Sequence, residues 1–567
     1  MRGVRLPVPA PVPARRAAAL LALAFAAFYA ATTRGQFVFG DDILVFQVTE
    51  SILDGDGFAV ASPAERGDVA RAVVGRDGRG YSKYGLGLSL AALPFDLAGR
   101  AAERAGADLP RTLDAEGNSR TGTRVFAAGL TNAVAGALAV AAMFWLASEA
   151  GFTAGVAALL AAALGGATCF AHYAATFLSE PLAAAALAGA AAAALRARNL
   201  AAAGGGSGAE PSRPGEEKQR LSVEEEERGE APAGPFGSPA WAAAVSGALA
   251  GFAVLVKAAH LVAALPIGLW LLVSLARAPR ARGAAGEASR RARIGRGGWR
   301  PFLLWSLCFS VFVAAVAGYN ALRFGNPLET GYGEEASRFT TPLWLGLTGL
   351  LVSPGKGLLW YAPPLLLAAF GLRALERRRP EVVALVLAMS AAPLLVTAAY
   401  YQWHGGGAWG PRLLVPLLPL WLLPAGEVLA RAARGSLRAR LGAALALAAG
   451  ALVVALALFV PFDRYHEQVW PQPREPNPAR LGGMIWNPAE SPLAVHARAL
   501  PHAVAETARL LTGAAPLPGP AEKNRPGLPD LAFARYGSHA LLQWTRGFLA
   551  AALVAAAWGL RALRRAL

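Results

Sequence analysis

Two adjacent carboxylates, Asp41 and Asp42, stand in the stretch QFVFGDDILVFQVTESILDGDGF, just beyond the first apolar run of the chain. A carboxylate at the wall of a water-accessible cleft beside lipid can have its pKa raised by partial desolvation, which suits it to take a proton as a general base. The plainer role for such an acid is to cap a helix and complement its dipole. One cap accounts for one Asp and leaves the other for chemistry.

Cations recur at comparable places. Lys356 in SPGKG and Arg412 in WHGGGAWGPRLL each stand where a Gly-rich turn leads into an apolar run. Backbone N–H groups at such a helix start, the positive end of its dipole and the cation itself suit an anion, and glycine lets the backbone approach a phosphate closely. The alternative is that Gly and Pro punctuate loops and the cations snorkel to headgroups. Lys257, in GFAVLVKAAHLV, falls at the junction of two apolar runs, a costly depth for an ammonium without an anion such as phosphate, with snorkelling again the alternative. Lys83, in YSKYGLG, is a further cation just before an apolar run. Glu180 in TFLSEP, Tyr332 and Glu334 in FGNPLETGYGEEASRF, and His404 are candidates for the acceptor side or for orienting roles. His172 and His260 lack ligand spacing, and Cys169 and Cys308 both lie inside apolar runs, so no metal ligands are assigned and no disulfide framework is expected.

These residues must be positioned by membrane helices. The chain has 567 residues, 55% hydrophobic and 16% charged, and its apolar residues gather into runs that match the thickness of a bilayer. Its formal charge of +17 does not point to nucleic acid, because the Arg residues cluster between apolar runs, as in RALERRRP, where they set topology. Candidate spans fall near 17–33, 124–148, 152–169, 177–197, 239–256, 259–276, 301–321, 357–374, 381–400, 412–430, 441–461 and 541–560. The expected fold is therefore an all-α polytopic bundle of about 12 spans, roughly 11 to 13. The first run could instead be a secretory signal, but the many later spans make a first anchor helix the simpler reading.

A further run, 84–104, would place the Arg-rich loops outside if it crossed; the positive-inside rule makes it an interfacial or re-entrant helix, helped by Pro94 and Asp96. Leu44, Val48 and Ile52 recur at helical spacing after the acid pair and predict a short amphipathic helix on the membrane surface. The expected organisation is a first module over 1–197 with its outer loop at 34–123, a disordered cytoplasmic linker over 198–238 rich in Gly, Pro and Glu, a second module over 239–461, an outer cap over 462–540, and a last span with a basic tail over 541–567. Asp41, Asp42, Lys83, Glu180, Glu334, Lys356, His404 and Arg412 then share the outer face.

The order of first span, GDD with its helix, YSKYGLGLSLAALPF, SEP, FGNPLETGY, SPGKGLLWY and GGGAWGPRLLVPLLP resembles the C-type (GT-C) membrane glycosyltransferases, and most of all the bacterial branch grouped with protein O-mannosyltransferases and the lipid A aminoarabinose transferase. The resemblance reaches to about residue 460. It implies a multi-pass protein of the cytoplasmic membrane that takes a sugar from a polyprenyl-phosphate donor on the outer face and gives it to a lipid, glycan or protein acceptor with inversion. Asp41 matches that family's catalytic acid and Asp42 its variable neighbour, while Lys83 takes the place of a lysine that meets the donor phosphate. Where the aminoarabinose-transferase pattern continues with Arg-Tyr, this chain has Leu44 and Val45. The acceptor stays open on that account, and so does a divalent metal.

Two readings compete. A ligase or polymerase of the same superfamily would move a whole lipid-linked glycan. A secondary transporter would carry ionisable groups at mid-span and symmetry between its halves, and the sequence has neither. A non-catalytic scaffold gives no reason for acids and cations to gather on one face.

Overall fold

Long runs of Ala, Leu, Val and Phe without turn residues satisfy their backbone internally as helices, and the expected apolar runs are mostly helical, although 357–374 is broken into two helices and 412–430 begins as a 3-10 turn followed by two short helices. A computed structural model describes residues 14–37, 40–60, 72–113, 119–203, 237–277, 299–462, 478–519 and 528–566. The principal helices are α1 (Ala14–Thr32), α2 (Gly40–Asp54), α3 (Gly87–Arg104), α4 (Gly122–Glu149), α5 (Ala154–Gly166), α6 (Glu180–Ala203), α7 (Pro239–Val256), α8 (Leu261–Arg277), α9 (Arg300–Phe324), α10 (Leu343–Val352), α11 (Leu365–Arg378), α12 (Pro380–Ala399), α13 (Ala425–Ala433), α14 (Leu437–Phe459), α15 (Pro492–Thr512) and α16 (His539–Ala566). The strands described are two residues long. Ala59–Val60 and Val73–Val74 flank Gly80–Tyr81 in an antiparallel trio, and Thr112–Leu113 pairs with Ser119–Arg120.

Among the described residues, seven helices are long and apolar enough to cross a membrane, and an eighth crossing results if Arg412–Leu422 and Ala425–Ala433, bent by 45°, count as one. Three of the other expected spans, 152–169, 177–197 and 357–374, are helical but fall short of that test for identifiable reasons. At about 1.5 Å per residue, α5 with 13 residues and α11 with 14 are shorter than the hydrocarbon layer. The 24-residue α6 is dominated by Ala and carries Arg196 and Arg198. The linker expected over 198–238 continues α6 as far as Ala203, and its central part, 204–236, lies outside the described residues.

Small residues let the helices come close, as membrane helix packing requires. At Gly247 of α7 a Cβ would collide with the Trp305 carbonyl of α9, and the Trp305 ring in turn covers Gly268 of α8. The opposite side of α9 exposes Leu303, Leu307 and Val311, an apolar face suited to lipid.

The helix after the acid pair forms where expected, but its apolar stripe does not explain its burial. Ile43, Val45, Phe46 and Thr49 are as deeply buried as Leu44 and Val48. Two polar groups of α2 are met by protein instead of water: Thr49 donates to the carbonyls of Val45 and Ser89, and Glu50 pairs with Arg120 and Arg124 at 2.8 and 3.0 Å. The run 84–104 forms α3 with Pro94 inside it, one side against α2 and α4 and Leu90 and Leu97 exposed on the other. Asp96, fully buried, bridges Arg100 at 2.9 Å and Arg124 at 2.7 Å, and so ties α3 to α4.

The groups expected on the inner side meet at the far ends of α4 and α6. There Glu149 pairs with Arg196 at 3.6 Å and accepts from Asn199, and Glu381 pairs with Arg198 and Arg379. In the late loop, Pro478–Trp486 and α15 are helical, and residues 530–536 dock on the exit of α1. Arg34 pairs with buried Asp530 at 3.1 Å, and the Ala532 N–H donates to the Thr33 carbonyl.

Breaking one partner of a buried pair leaves an uncompensated charge. Asp96→Ala is expected to destabilise the protein by about 3–5 kcal/mol, whereas Asp54→Ala, which removes the half-exposed partner of Arg100, should cost less than about 1 kcal/mol. Thermal unfolding of the purified full-length variants checks the contrast, and equal losses would refute the structural role given to Asp96.

Candidate functional site

The starts of α2 and α6, the end of α7, and the loops carrying Tyr84 and Arg412 surround a small open cleft. Its apolar wall is Val45, Leu88, Phe177, Leu178 and Val256; its polar groups are Asp41, Asp42, Tyr84, Ser179, Lys257 and Arg412.

Each polar group has a structural reason for its place. Asp41 and Asp42 occupy the first turn of α2, where acids complement the helix dipole. The turn before α6 is held by Asn132 of α4, whose amide donates to the Leu178 carbonyl at 2.6 Å, and this delivers Glu180 to the rear of the cleft. Lys257 ends α7, in extended backbone between two helices. Gly85 lies so close to the backbone of Leu255 and Val256 that a Cβ would collide with both carbonyls, and this contact brings Tyr84 beside Lys257.

Arg412 joins the pieces. Its Nε donates to Glu180 Oε1 at 2.7 Å and its Nη2 to Asp41 Oδ2 at 2.6 Å. The other oxygen of Asp41, Oδ1, accepts from the Tyr84 hydroxyl at 2.8 Å. Burial pushes the Asp41 carboxyl up, but the charge of Arg412, the Tyr84 hydrogen bond and the charge of Lys257 together outweigh it and hold the group at about 2. Burial pushes the Lys257 ammonium down, with Glu180 and Asp41 opposing. Among the described residues no carboxylate forms an ion pair with Lys257, so this cation faces the cleft with spare charge.

The structure thus brings together four of the residues singled out in the sequence, Asp41, Asp42, Lys257 and Arg412, with Glu180 directly behind them. Lys83 stands at the rim, pairing with Glu335 at 2.7 Å and lying 4.9 Å from the centre of the Tyr332 ring. Tyr332 in turn meets Tyr84 edge to face at 6.3 Å. Glu334 is exposed, and its carbonyl accepts from Ser337.

Lys356 does not line the cleft. It is fully buried, and its Nζ donates to the carbonyls of Gly406 and Ala408, which fastens the loop leading to Arg412. His404 belongs to the same loop, its Nδ1 accepting from the Gly406 N–H at 3.1 Å. Burial and then Lys356 push the His404 imidazole down to about 4, so it is neutral near pH 7. Trp409, fully buried, packs edge to face on Tyr361 and stacks on His172, and its carbonyl accepts from Tyr173.

The two glycine turns differ from the anion cradles expected. After SPGKG the helix is only four residues, Leu358–Tyr361, and Arg412–Leu417 is a 3-10 turn. Their amides are used internally: the Lys356 N–H donates to Ser353 Oγ, that of Gly357 to the Ser353 carbonyl, and that of Arg412 to the Gly410 carbonyl. Here the glycines shape the loop that presents a side chain. Among the described residues no group of three or more His, Cys, Asp or Glu is placed to hold a metal ion.

Sequence reasoning passed over Tyr84. The signal available was its place between Lys83 and Gly85 in YSKYGLG, but nothing local says that its hydroxyl reaches an acid 43 positions earlier.

Two outcomes follow. Gly85→Ala should force the Tyr84 loop away from Val256 and weaken any anion bound between Lys257 and Arg412, while leaving the protein folded; an unchanged affinity for inorganic phosphate or a phosphate ester would contradict this. Burial, and then Arg412, push the Lys356 amine down to about 7 from an ordinary 10.5. Between these values the unfolded chain binds more protons than the folded one, so the cost of burying Lys356 is full below pH 7 and fades as pH rises towards 10.5. Thermal unfolding from pH 6 to 10 should therefore show the wild-type protein gaining stability relative to Lys356→Met, whereas parallel curves would refute the shift.

No family model and no curated protein matches the chain. Among solved structures, it is similar to ArnT from Cupriavidus metallidurans bound to undecaprenyl phosphate, with 14% identity and a TM-score of 0.46, covering 94% of this chain and 77% of that one. It is also similar to the archaeal oligosaccharyltransferase AglB from Archaeoglobus fulgidus in complex with an inhibitory peptide and a dolichol-phosphate, with 12% identity and a TM-score of 0.42, covering 83% of this chain and 60% of that one.

Proposed function

We propose that this protein is a membrane glycosyltransferase that moves a sugar from a polyprenyl-phosphate donor to an acceptor hydroxyl on a lipid, glycan or protein, at the outer face of the cytoplasmic membrane and with inversion. The observation that carries this reading is the meeting of Asp41, Arg412 and Lys257 in one cleft with an apolar wall. Attack of a hydroxyl on an anomeric carbon needs a proton acceptor on one side and charge stabilisation at the departing phosphate on the other. Asp41 is the acceptor of the proton. Arg412 and Lys257 hold the phosphate, with Lys83 at the rim guiding its approach, and Lys356 acts by fixing the loop of Arg412. The chain resemblance in the GDD, YSKYGLG and GGGAWGPR stretches points the same way. Tyr332 and Glu334, on the loop over the rim, stand on the acceptor side.

The test is turnover of a polyprenyl-phosphate monosaccharide by the full-length protein in lipid vesicles. Asp41→Asn should lower the rate about 10²- to 10⁴-fold without lowering the thermal midpoint by more than a few degrees, and normal turnover by that variant would overturn the assignment. An oligosaccharide donor in the same assay separates monosaccharide transfer from glycan ligation.

A further inference from the structure

Arg412 is held by two carboxylates on unequal terms. The Glu180 side chain is 3% exposed and that of Asp41 is 25% exposed. Releasing Glu180 would strand a bare carboxylate in the interior, whereas a released Asp41 opens onto the cleft and can be solvated there. A phosphate oxygen is a good competitor for a guanidinium edge, and an Arg fork can meet an anion with one edge while keeping another partner. Among the described residues nothing donates to Glu180 Oε2, so Glu180 has spare capacity to tighten on Arg412 as its other edge turns. Lys257, in the same cleft and in no ion pair among the described residues, draws an anion to the same place. The remaining groups that face Asp41 are Tyr84 on its Oδ1, Tyr332 from the rim loop and Asp42 on its own helix.

We infer that the donor phosphate displaces Asp41 from Arg412 while Glu180 keeps its hold, so that donor binding itself releases the carboxylate that takes the acceptor's proton, and the donor must bind before the acceptor reacts. This rests on the glycosyltransferase reading and adds to it a positioning role for Glu180 and a binding order. The step balances simply. The acceptor oxygen forms a bond to the anomeric carbon, the bond from that carbon to the phosphate oxygen breaks with its electron pair going to the phosphate, and the acceptor proton passes to Asp41. With Arg412 still attached, Asp41 is a feeble base because its carboxylate is already stabilised; with Arg412 on the phosphate, the same charge serves the leaving group. Occupancy of the donor site and strength of the base are thus one equilibrium.

The experiment is equilibrium binding of a polyprenyl monophosphate to the full-length protein in lipid nanodiscs. If Asp41 and phosphate compete for Arg412, Asp41→Asn should tighten binding about tenfold. In a background carrying Arg412→Gln with Glu180→Gln, which removes the buried pair together, Asp41→Asn should have little effect. No tightening in the first case, or equal tightening in both, would overturn the competition while leaving the glycosyltransferase reading intact. Failure of the wild-type protein to bind the lipid phosphate at all would overturn both. Should the double variant not fold, a structure of the wild-type protein with the same lipid decides: Arg412 is expected on the phosphate and on Glu180, and Arg412 still on Asp41 with the phosphate elsewhere contradicts the exchange.

Discussion

The guanidinium of Arg412 lies between carboxylates 371 and 232 positions earlier in the chain, and one end of the bundle is organised around that one buried charge. Taking a cation and two acids out of water is expensive, and the interior returns that cost only when geometry and hydrogen bonding are good. Here the contacts are 2.6 and 2.7 Å, each oxygen of Asp41 has a donor, and the loop that carries the cation is stitched down by Lys356 and by the Trp409, Tyr361 and His172 rings. Such a centre is a poor choice for stability alone, since a well-packed apolar substitute would often serve as well. Its retention at the wall of an open cleft makes sense where the charges meet something that comes and goes.

The rest of the fold supplies the rigidity this centre needs. Helix α2, which carries Asp41, is enclosed by α3 and α4, and its Glu50 is held by Arg120 and Arg124, the second of which also pairs with Asp96. Asn132 on α4 fixes the turn before Glu180, and Gly85 allows the Tyr84 loop to touch the end of α7. Five distant parts of the chain therefore present side chains to one small volume. The exposed apolar flank of α9 and the Ala-rich packing of α4, α6 and α7 place that volume in a bundle that a bilayer can surround.

How much of this could be read from the residues follows from how local each signal is. Most helices were legible, because hydrophobic run length and turn residues act over a few positions; the apolar runs from 17–33 to 541–560 are largely helical, with 357–374 and 412–430 broken at prolines. That Asp41, Glu180, Lys257 and Arg412 belong to one end of the bundle was legible through charge parity and motif order. What failed were inferences that depend on a partner. The stripe of Leu44, Val48 and Ile52 suggested a half-exposed helix, because nothing local announces that Arg120 and Arg124 will neutralise the other side. The glycines around Lys356 suggested a phosphate cradle, but Ser353 takes the nearby amides and two carbonyls take the ammonium. Tyr84 was missed because its role depends wholly on an acid that meets it only after folding.

The central claim is that a sugar is transferred in one displacement, with Asp41 taking the proton and Arg412 and Lys257 receiving the phosphate. The most direct measurement is the anomeric configuration of the product formed from a polyprenyl-phosphate monosaccharide, followed by NMR. A single displacement predicts inversion. Retention would require two successive displacements through a covalent sugar intermediate, and would contradict the account.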